Sequence, residues 1–339
     1  MIYIVLAFLA VSLLLYVLLA GADFGAGIIE LFSSKENQAI NKKTVYQVMG
    51  PVWEANHIWI IILIVILWIA FPNYYNILVI SLHIPLTLIL LGITLRGVAF
   101  VFRYYDAYKD SSQILYDWMF KVSSLFTPIF LGLTMGGAVS GKIIEPSQIA
   151  NYTFLEVYVF SWFNIFSILT GFFYAALCAF LASIFLIGEV ATQSKGMYMR
   201  KASIATVVVV ALGFLTLLYG YFSNISFVVD FLGNPWSISS IFISGVLLLP
   251  LWKSIKRGRR IVSRAMAGLQ VFLILFAAII THFPNVLFTT TGSVNIFDQP
   301  VPASVMNILG ISLLIGGALI IPGLFHLLKS FKLIKLLEK

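Results

Sequence analysis

Trp53-Glu54-Ala55-Asn56-His57-Ile58-Trp59 runs directly into Ile60-Ile61-Ile62-Leu63-Ile64-Val65-Ile66-Leu67-Trp68-Ile69-Ala70, so a carboxylate and an imidazole stand at the mouth of an otherwise apolar stretch. About 20 apolar residues in a helix cross about 30 Å of hydrocarbon, and this stretch has the length and composition of such a span. An ionisable group inside a span costs about 2.5–3.5 kcal/mol by insertion scales and is normally kept for a purpose. The stretch therefore marks both the fold and a candidate site.

The same pattern recurs along the chain. With 61% hydrophobic and 10% charged residues among 339, and a mean hydropathy of +1.03, the composition excludes a water-soluble surface. Apolar windows predict nine spans, near residues 2–21, 53–71, 75–101, 116–140, 155–188, 202–222, 234–252, 265–283 and 301–327. The expected fold is an all-α polytopic membrane protein, packed as helical bundles, forming a single membrane-embedded domain over residues 1–339. Segments between the windows are short, the longest following helix 1 and preceding helix 9. An internal duplication is neither evident nor excluded.

Basic residues collect in loops on the cytoplasmic side of a membrane. Here Lys35, Lys42 and Lys43 follow helix 1, Arg103 and Lys109 follow helix 3 with Lys121 just beyond, and Lys195, Arg200 and Lys201 follow helix 5. Lys253, Lys256, Arg257, Arg259, Arg260 and Arg264 form the strongest cluster, and Lys329, Lys332, Lys335 and Lys339 lie in the tail. Only Lys142, opposite, and Arg96, inside helix 3, depart from this alternation. The N-terminus is expected outside and the C-terminus in the cytoplasm, which requires an odd number of spans. Anionic lipid at the helix ends accounts for the net charge of +8, so no nucleic-acid partner is needed. The small-residue site Ala20-Gly21-Ala22 lacks a basic n-region before it, so helix 1 reads as a retained span. Cys178 is the single cysteine, which rules out an intrachain disulfide and a cysteine metal cluster.

Gly21 to Gly27 and Gly132 to Gly141 contain small-xxx-small spacings that bring helix backbones together in lipid. No strand precedes the first segment and no Lys-Ser/Thr follows it, so it does not read as a phosphate loop. Asp23 is expected near the inner end of helix 1, where the helix dipole opposes a carboxylate, and Glu54 at the inner end of helix 2. On a regular helix Trp53, Glu54 and His57 share one sector. Carboxylates and imidazoles held beside the apolar phase can take up and release protons near neutrality, so Asp23, Glu54 and His57 are the candidate proton-transfer residues. For Glu54, helix capping is an equally open reading, and Glu156 and Glu189 are expected at the interface. His83, two residues before Pro85, is expected to bond a carbonyl that the proline frees, while His282 and His326 lie near helix ends. None has spacing that marks a haem or metal ligand. Trp53, Asn56 and Trp59 are candidate packing or quinone contacts, and Trp68 a packing or anchoring residue.

Two blocks carry a resemblance. Gly21-Ala22-Asp23-Phe24-Gly25-Ala26-Gly27 and Gly50-Pro51-Val52-Trp53-Glu54-Ala55-Asn56-His57-Ile58-Trp59 resemble, in order and separation, motifs of subunit II of the bacterial cytochrome bd-type quinol oxidases. Leu95-Arg96-Gly97-Val98-Ala99-Phe100 and Tyr116-Asp117-Trp118 resemble its helix 3 end and helix 4 start. Glu54 stands where that family often has Asp, and His57 occupies a variable position. The resemblance implies a heterodimeric respiratory oxidase of the bacterial cell membrane that reduces dioxygen to water with electrons from quinol. It implies haem b and haem d in a partner subunit I, with this subunit beside it and electrogenic proton uptake from the cytoplasm. A small single-helix accessory subunit is an optional third partner. The rival reading is a proton-coupled secondary transporter, since buried acids among nine helices suit both. A structural subunit without proton traffic is a third.

Overall fold

The computed structural model describes residues 1–50, 53–106, 111–187 and 195–330. Pro51, Val52, Lys109, Glu189, Lys332, Lys335 and Lys339 lie outside the described residues. Among those described, nine helices are long and apolar enough to cross a membrane. They are α1 Ile2–Leu31, α3 Trp53–Ala70, α4 Pro72–Tyr105, α5 Ser112–Val139, α7 Ile165–Ile187, α8 Lys195–Phe222, α10 Pro235–Lys256, α11 Arg260–His282 and α12 Ala303–Ser330. Between them lie α2 Lys35–Met49, α6 Phe154–Tyr158 and α9 Ser226–Gly233. An antiparallel hairpin joins α11 to α12, with β1 Asn285–Thr289 paired to β2 Gly292–Asn295 and Leu287 opposite Val294. The hairpin lies against the end of α5, where the Thr290 N–H donates to the Ile143 carbonyl at 2.9 Å.

The centre of the molecule is formed by α5 and α7, packed against each other, with the second half of α1, α4 and α8 around them. Small residues permit this. A Cβ added to Gly25 of α1 would meet the Cys178 carbonyl oxygen of α7 at 1.9 Å, and one on Gly132 of α5 would meet the Gly171 Cα of α7 at 2.6 Å. Both close approaches use the small-xxx-small segments of the sequence, where van der Waals contact replaces the hydrophobic drive that lipid removes. Phe100, Phe120, Leu181, Leu186 and Leu251 fill the core that results.

Several expectations are corrected. Helix 1 does not end at residue 21: it passes through a π-helical turn at Tyr16–Ala20 and continues to Leu31. Asp23 is therefore interior to the helix, and the dipole argument for its cost falls away. The loop expected after helix 1 contains α2, a polar helix. Span 5, expected over 155–188, begins at Ile165 because α6 is a separate short helix closed by a capping box between Thr153 and Glu156. Arg103 and Lys121, counted with the basic loop, lie within α4 and α5 and are buried. Pro85 kinks α4 at Leu82, as the missing proline N–H predicts. The carbonyl it frees, that of Ser81, accepts from the Ser161 hydroxyl at 3.3 Å, while the His83 ring nitrogen faces the Ile80 carbonyl at 2.9 Å.

Candidate functional site

Asp23 is fully buried, and Arg96 of α4 explains how. Its guanidinium donates from Nη1 to Asp23 Oδ2 at 2.6 Å, from Nη2 to Oδ1 at 2.8 Å and to the Asp23 carbonyl at 3.0 Å, and from Nε to Ser124 Oγ of α5 at 3.0 Å. A buried charge is tolerable only when it is paired and hydrogen-bonded, and this fork-on-carboxylate geometry meets both conditions. The guanidinium also lies 5.2 Å from the Phe24 ring centroid and 4.9 Å from that of Phe120.

The arrangement repeats seven residues further along both helices. Glu30 of α1 is buried and pairs with Arg103 of α4, whose Nη1 donates to Oε2 at 3.0 Å and whose Nη2 is bonded to Oε1. The Arg103 guanidinium lies 4.7 Å from the Phe120 ring centroid and 5.1 Å from that of Tyr104. Its Nε stands 2.6 Å from Asp117 of α5, an ion pair rather than a well-formed hydrogen bond. Asp117 pairs in turn with Lys42 of α2 at 2.8 Å, where both side chains are partly exposed. A ladder of charges thus leads from the buried Asp23 to the end of the molecule that carries the basic loops, with Phe120 between its rungs. Seven residues are two helical turns, so parallel helices place both acids opposite both arginines.

The other expected site residues divide. α3 is interrupted by a turn at His57, whose N–H donates to the Glu54 carbonyl at 3.1 Å. The three side chains expected to share one sector differ in burial, with Trp53 and His57 half-buried and Glu54 exposed. Glu54 is exposed, and its charge acts on Tyr105 of α4. His57 turns inward, with its ring 5.6 Å from Phe24 and 6.1 Å from Tyr16, and the charges of Asp23 and Arg96 both act on it. The structure therefore brings His57 to Asp23 and leaves Glu54 at the rim. Trp53 packs on Phe100 at 5.1 Å, whereas Asn56 and Trp59 are buried. Trp68 is exposed. Of the other histidines, His282 stacks on Phe227 at 4.1 Å. Glu30, Arg103 and the pairing role of Arg96 escaped the sequence reading. The signal that marks them is the equal spacing of Asp23 to Glu30 and Arg96 to Arg103.

Comparison with known proteins agrees with this architecture. The family described as cytochrome bd terminal oxidase subunit II matches residues 1–331. The cytochrome bd ubiquinol oxidase subunit 2 of Bacillus subtilis is 27% identical over 202 residues, covering 58% of this chain and 57% of that protein. A second protein of that organism, provisionally named a cytochrome bd menaquinol oxidase subunit II, is 23% identical and covers 96% of this chain and 95% of its own length. The chain thus spans little more than half of the first relative and nearly all of the second. The structure of bd oxidase from Geobacillus thermodenitrificans superimposes with a TM-score of 0.74 at 19% identity, covering 97% of this chain and 98% of that one.

Proposed function

We propose that this chain, which belongs to the cytochrome bd terminal oxidase subunit II family, is the non-haem membrane subunit of a respiratory quinol oxidase that reduces dioxygen to water. The match of the family across residues 1–331 is the observation that carries this reading. Quinol is the electron donor of the complex, and haem b and haem d belong to a partner subunit I in the bacterial plasma membrane. A small accessory helix is an optional further partner. The chain crosses that membrane with its N-terminus outside and its C-terminus in the cytoplasm. Its role in the chemistry is to support subunit I and to pass cytoplasmic protons toward it. Taking those protons from the cytoplasm makes turnover electrogenic, at about 2.3 kcal/mol per charge per 100 mV.

The acids of this chain have different parts in that transfer. Exposed Glu54 collects protons at the cytoplasmic rim, and His57, one turn further in, receives them. Asp23 has both oxygens engaged by Arg96, so it acts with that arginine as a fixed charge pair beside His57 and sets the local field. The outer rungs, Glu30–Arg103 and Asp117–Lys42, hold α1, α2, α4 and α5 in register around the path.

The test is Glu54→Gln in the purified complex. Loss of a proton-transfer group typically costs about 100-fold or more in rate. Oxygen consumption with quinol is expected to fall by roughly that factor while the haem absorption spectrum is unchanged. Wild-type turnover rejects Glu54 as a relay. Absence of haem signals and of a larger copurifying subunit rejects the oxidase reading in favour of a transporter.

A further inference from the structure

Three buried side-chain atoms without a hydrogen-bond partner lie where α1 meets α3: Tyr16 Oη on α1, and His57 Nδ1 and Trp59 Nε1 on α3. Unused bonding capacity in a buried group is a desolvation cost, so a cluster of such atoms requires a physical account. Tyr16 is 3% exposed and Trp59 6%. This chain's own atoms enclose all three, which means that a subunit docking on the outside cannot supply the missing partners.

The geometry links them. The Tyr16 and His57 rings lie 6.1 Å apart and are tilted by 54°, with no direct bond between Oη and Nδ1. Tyr16, Trp59 and Phe24 belong to one buried cluster. The π-helical turn of α1 starts at Tyr16 itself, and such turns recur at functional sites because they shift a side chain out of the regular helical ladder.

The chemistry selects the ligand. A tyrosine hydroxyl donates and accepts, a neutral imidazole nitrogen does one or the other, and the indole N–H only donates. Asp23 and Arg96 both act on Tyr16 and on His57, and their opposite charges give an ion of either sign nothing to bind against. An apolar ligand satisfies none of the three atoms. Water, with two donor and two acceptor positions, complements the set, and sites with several polar partners are where buried water persists.

We infer that Tyr16 and His57 enclose an internal water site, in which ordered water bridges Oη and Nδ1 and reaches Trp59 Nε1. The site gives His57 a neutral hydrogen-bonded route along α1 that bypasses the fully engaged Asp23 carboxylate. That use in proton transfer rests on the proposed function; the presence of the water does not.

A high-resolution map of the wild-type complex in lipid nanodiscs tests the site. The expected result is compact density about 2.7–3.2 Å from both Tyr16 Oη and His57 Nδ1. Two results overturn it: a dry site in which the two side chains bond directly, or elongated density from a quinone headgroup or lipid. In Tyr16→Phe the bridging density is expected to disappear while the haem spectrum stays unchanged, and a peak that persists in place argues that Tyr16 does not hold it. Should the water be present in the wild type and the Tyr16→Phe complex turn over at the wild-type rate, the water site stands and its part in proton transfer falls. His57→Gln keeps a polar atom near the site and is expected to retain density there, so it separates loss of the water from misfolding.

Discussion

The α1–α4–α5 region and the α10–α11 pair solve one problem by different means. In lipid, helices gain little from burying apolar faces against one another. In the first region the gap between α1 and α4 is closed by two buried carboxylate–guanidinium pairs, Asp23–Arg96 and Glu30–Arg103, with Phe120 of α5 between them. In the second, neutral groups do the same work: the Ser237 hydroxyl donates to the Ala277 carbonyl at 2.7 Å, the Gln270 amide to the Ser244 carbonyl at 3.0 Å and the Ser263 hydroxyl to that of Ser254 at 3.2 Å. Neutral side-chain bonds between membrane helices are worth about 0.6 kcal/mol on average, whereas removing one partner of a buried ion pair costs about 3–5 kcal/mol. Such pairs seldom repay their desolvation as stability alone.

Substitutions can break this contrast. The greatest effect is expected for Gly25→Leu, because its first added carbon would lie 1.9 Å from a backbone oxygen of α7 that cannot yield. No assembled complex should be recovered by size-exclusion chromatography; normal yield would show that α1 and α7 can separate at little cost. Arg96→Ala comes next. It leaves Asp23 buried and unpaired, and is expected to destabilise the chain by about 3–5 kcal/mol, read as a lowered Tm in detergent. Adding Asp23→Asn to it should recover part of that loss, and equal Tm values for the single and double variants would argue against an electrostatic pair. On the neutral side, Ser237→Ala should cost about 1 kcal/mol or less. A loss as large as that of Arg96→Ala would erase the distinction between the regions.

The smallest effect concerns α6, outside the membrane spans. The Thr153 N–H and hydroxyl donate to Glu156 Oε2 at 2.8 and 2.7 Å and hold its carboxyl below its ordinary pKa of 4.5. A group depressed in the folded state stabilises fully above its unfolded pKa and ceases to do so as pH falls through its folded value. Amide exchange in Phe154–Tyr158 should therefore quicken only in acid below the ordinary glutamate range, and Thr153→Val should bring that faster exchange to neutral pH. Exchange in that helix that is identical in the two proteins would refute the cap.

How far the sequence reveals these features varies residue by residue. Trp53 to Ala70 declares a span because hydrocarbon thickness fixes the length of apolar chain it needs. Asp23 declares itself because a lone acid after twenty apolar residues is costly. Its partner does not, since Arg96 is 73 positions away and the contact depends on how α4 lies beside α1. Glu30 is overlooked once helix 1 is taken to stop near residue 21, and the error arises because the glycines from Gly21 to Gly27 resemble a helix end, whereas close packing on α7 accommodates them inside a helix that runs to Leu31. Glu54 and His57 look like one helical face, but Glu54 is exposed while His57 packs on Phe24 and Tyr16. Which neighbour meets each side chain leaves no mark in hydropathy.

By itself the sequence determined the solvent, the number and approximate positions of the spans, the small-residue faces and the presence of acids that a membrane would tolerate only for a reason. These follow from local composition, which is read against the fixed thickness of a bilayer. Only the tertiary structure decided that Asp23 and Glu30 meet Arg96 and Arg103, that His57 packs on Phe24 and Tyr16 while Glu54 stays exposed, and that Tyr16 Oη and His57 Nδ1 are buried without a bond between them. Those outcomes depend on the relative rotation and register of helices distant in sequence, and such quantities are set by packing across the whole bundle rather than by any one segment.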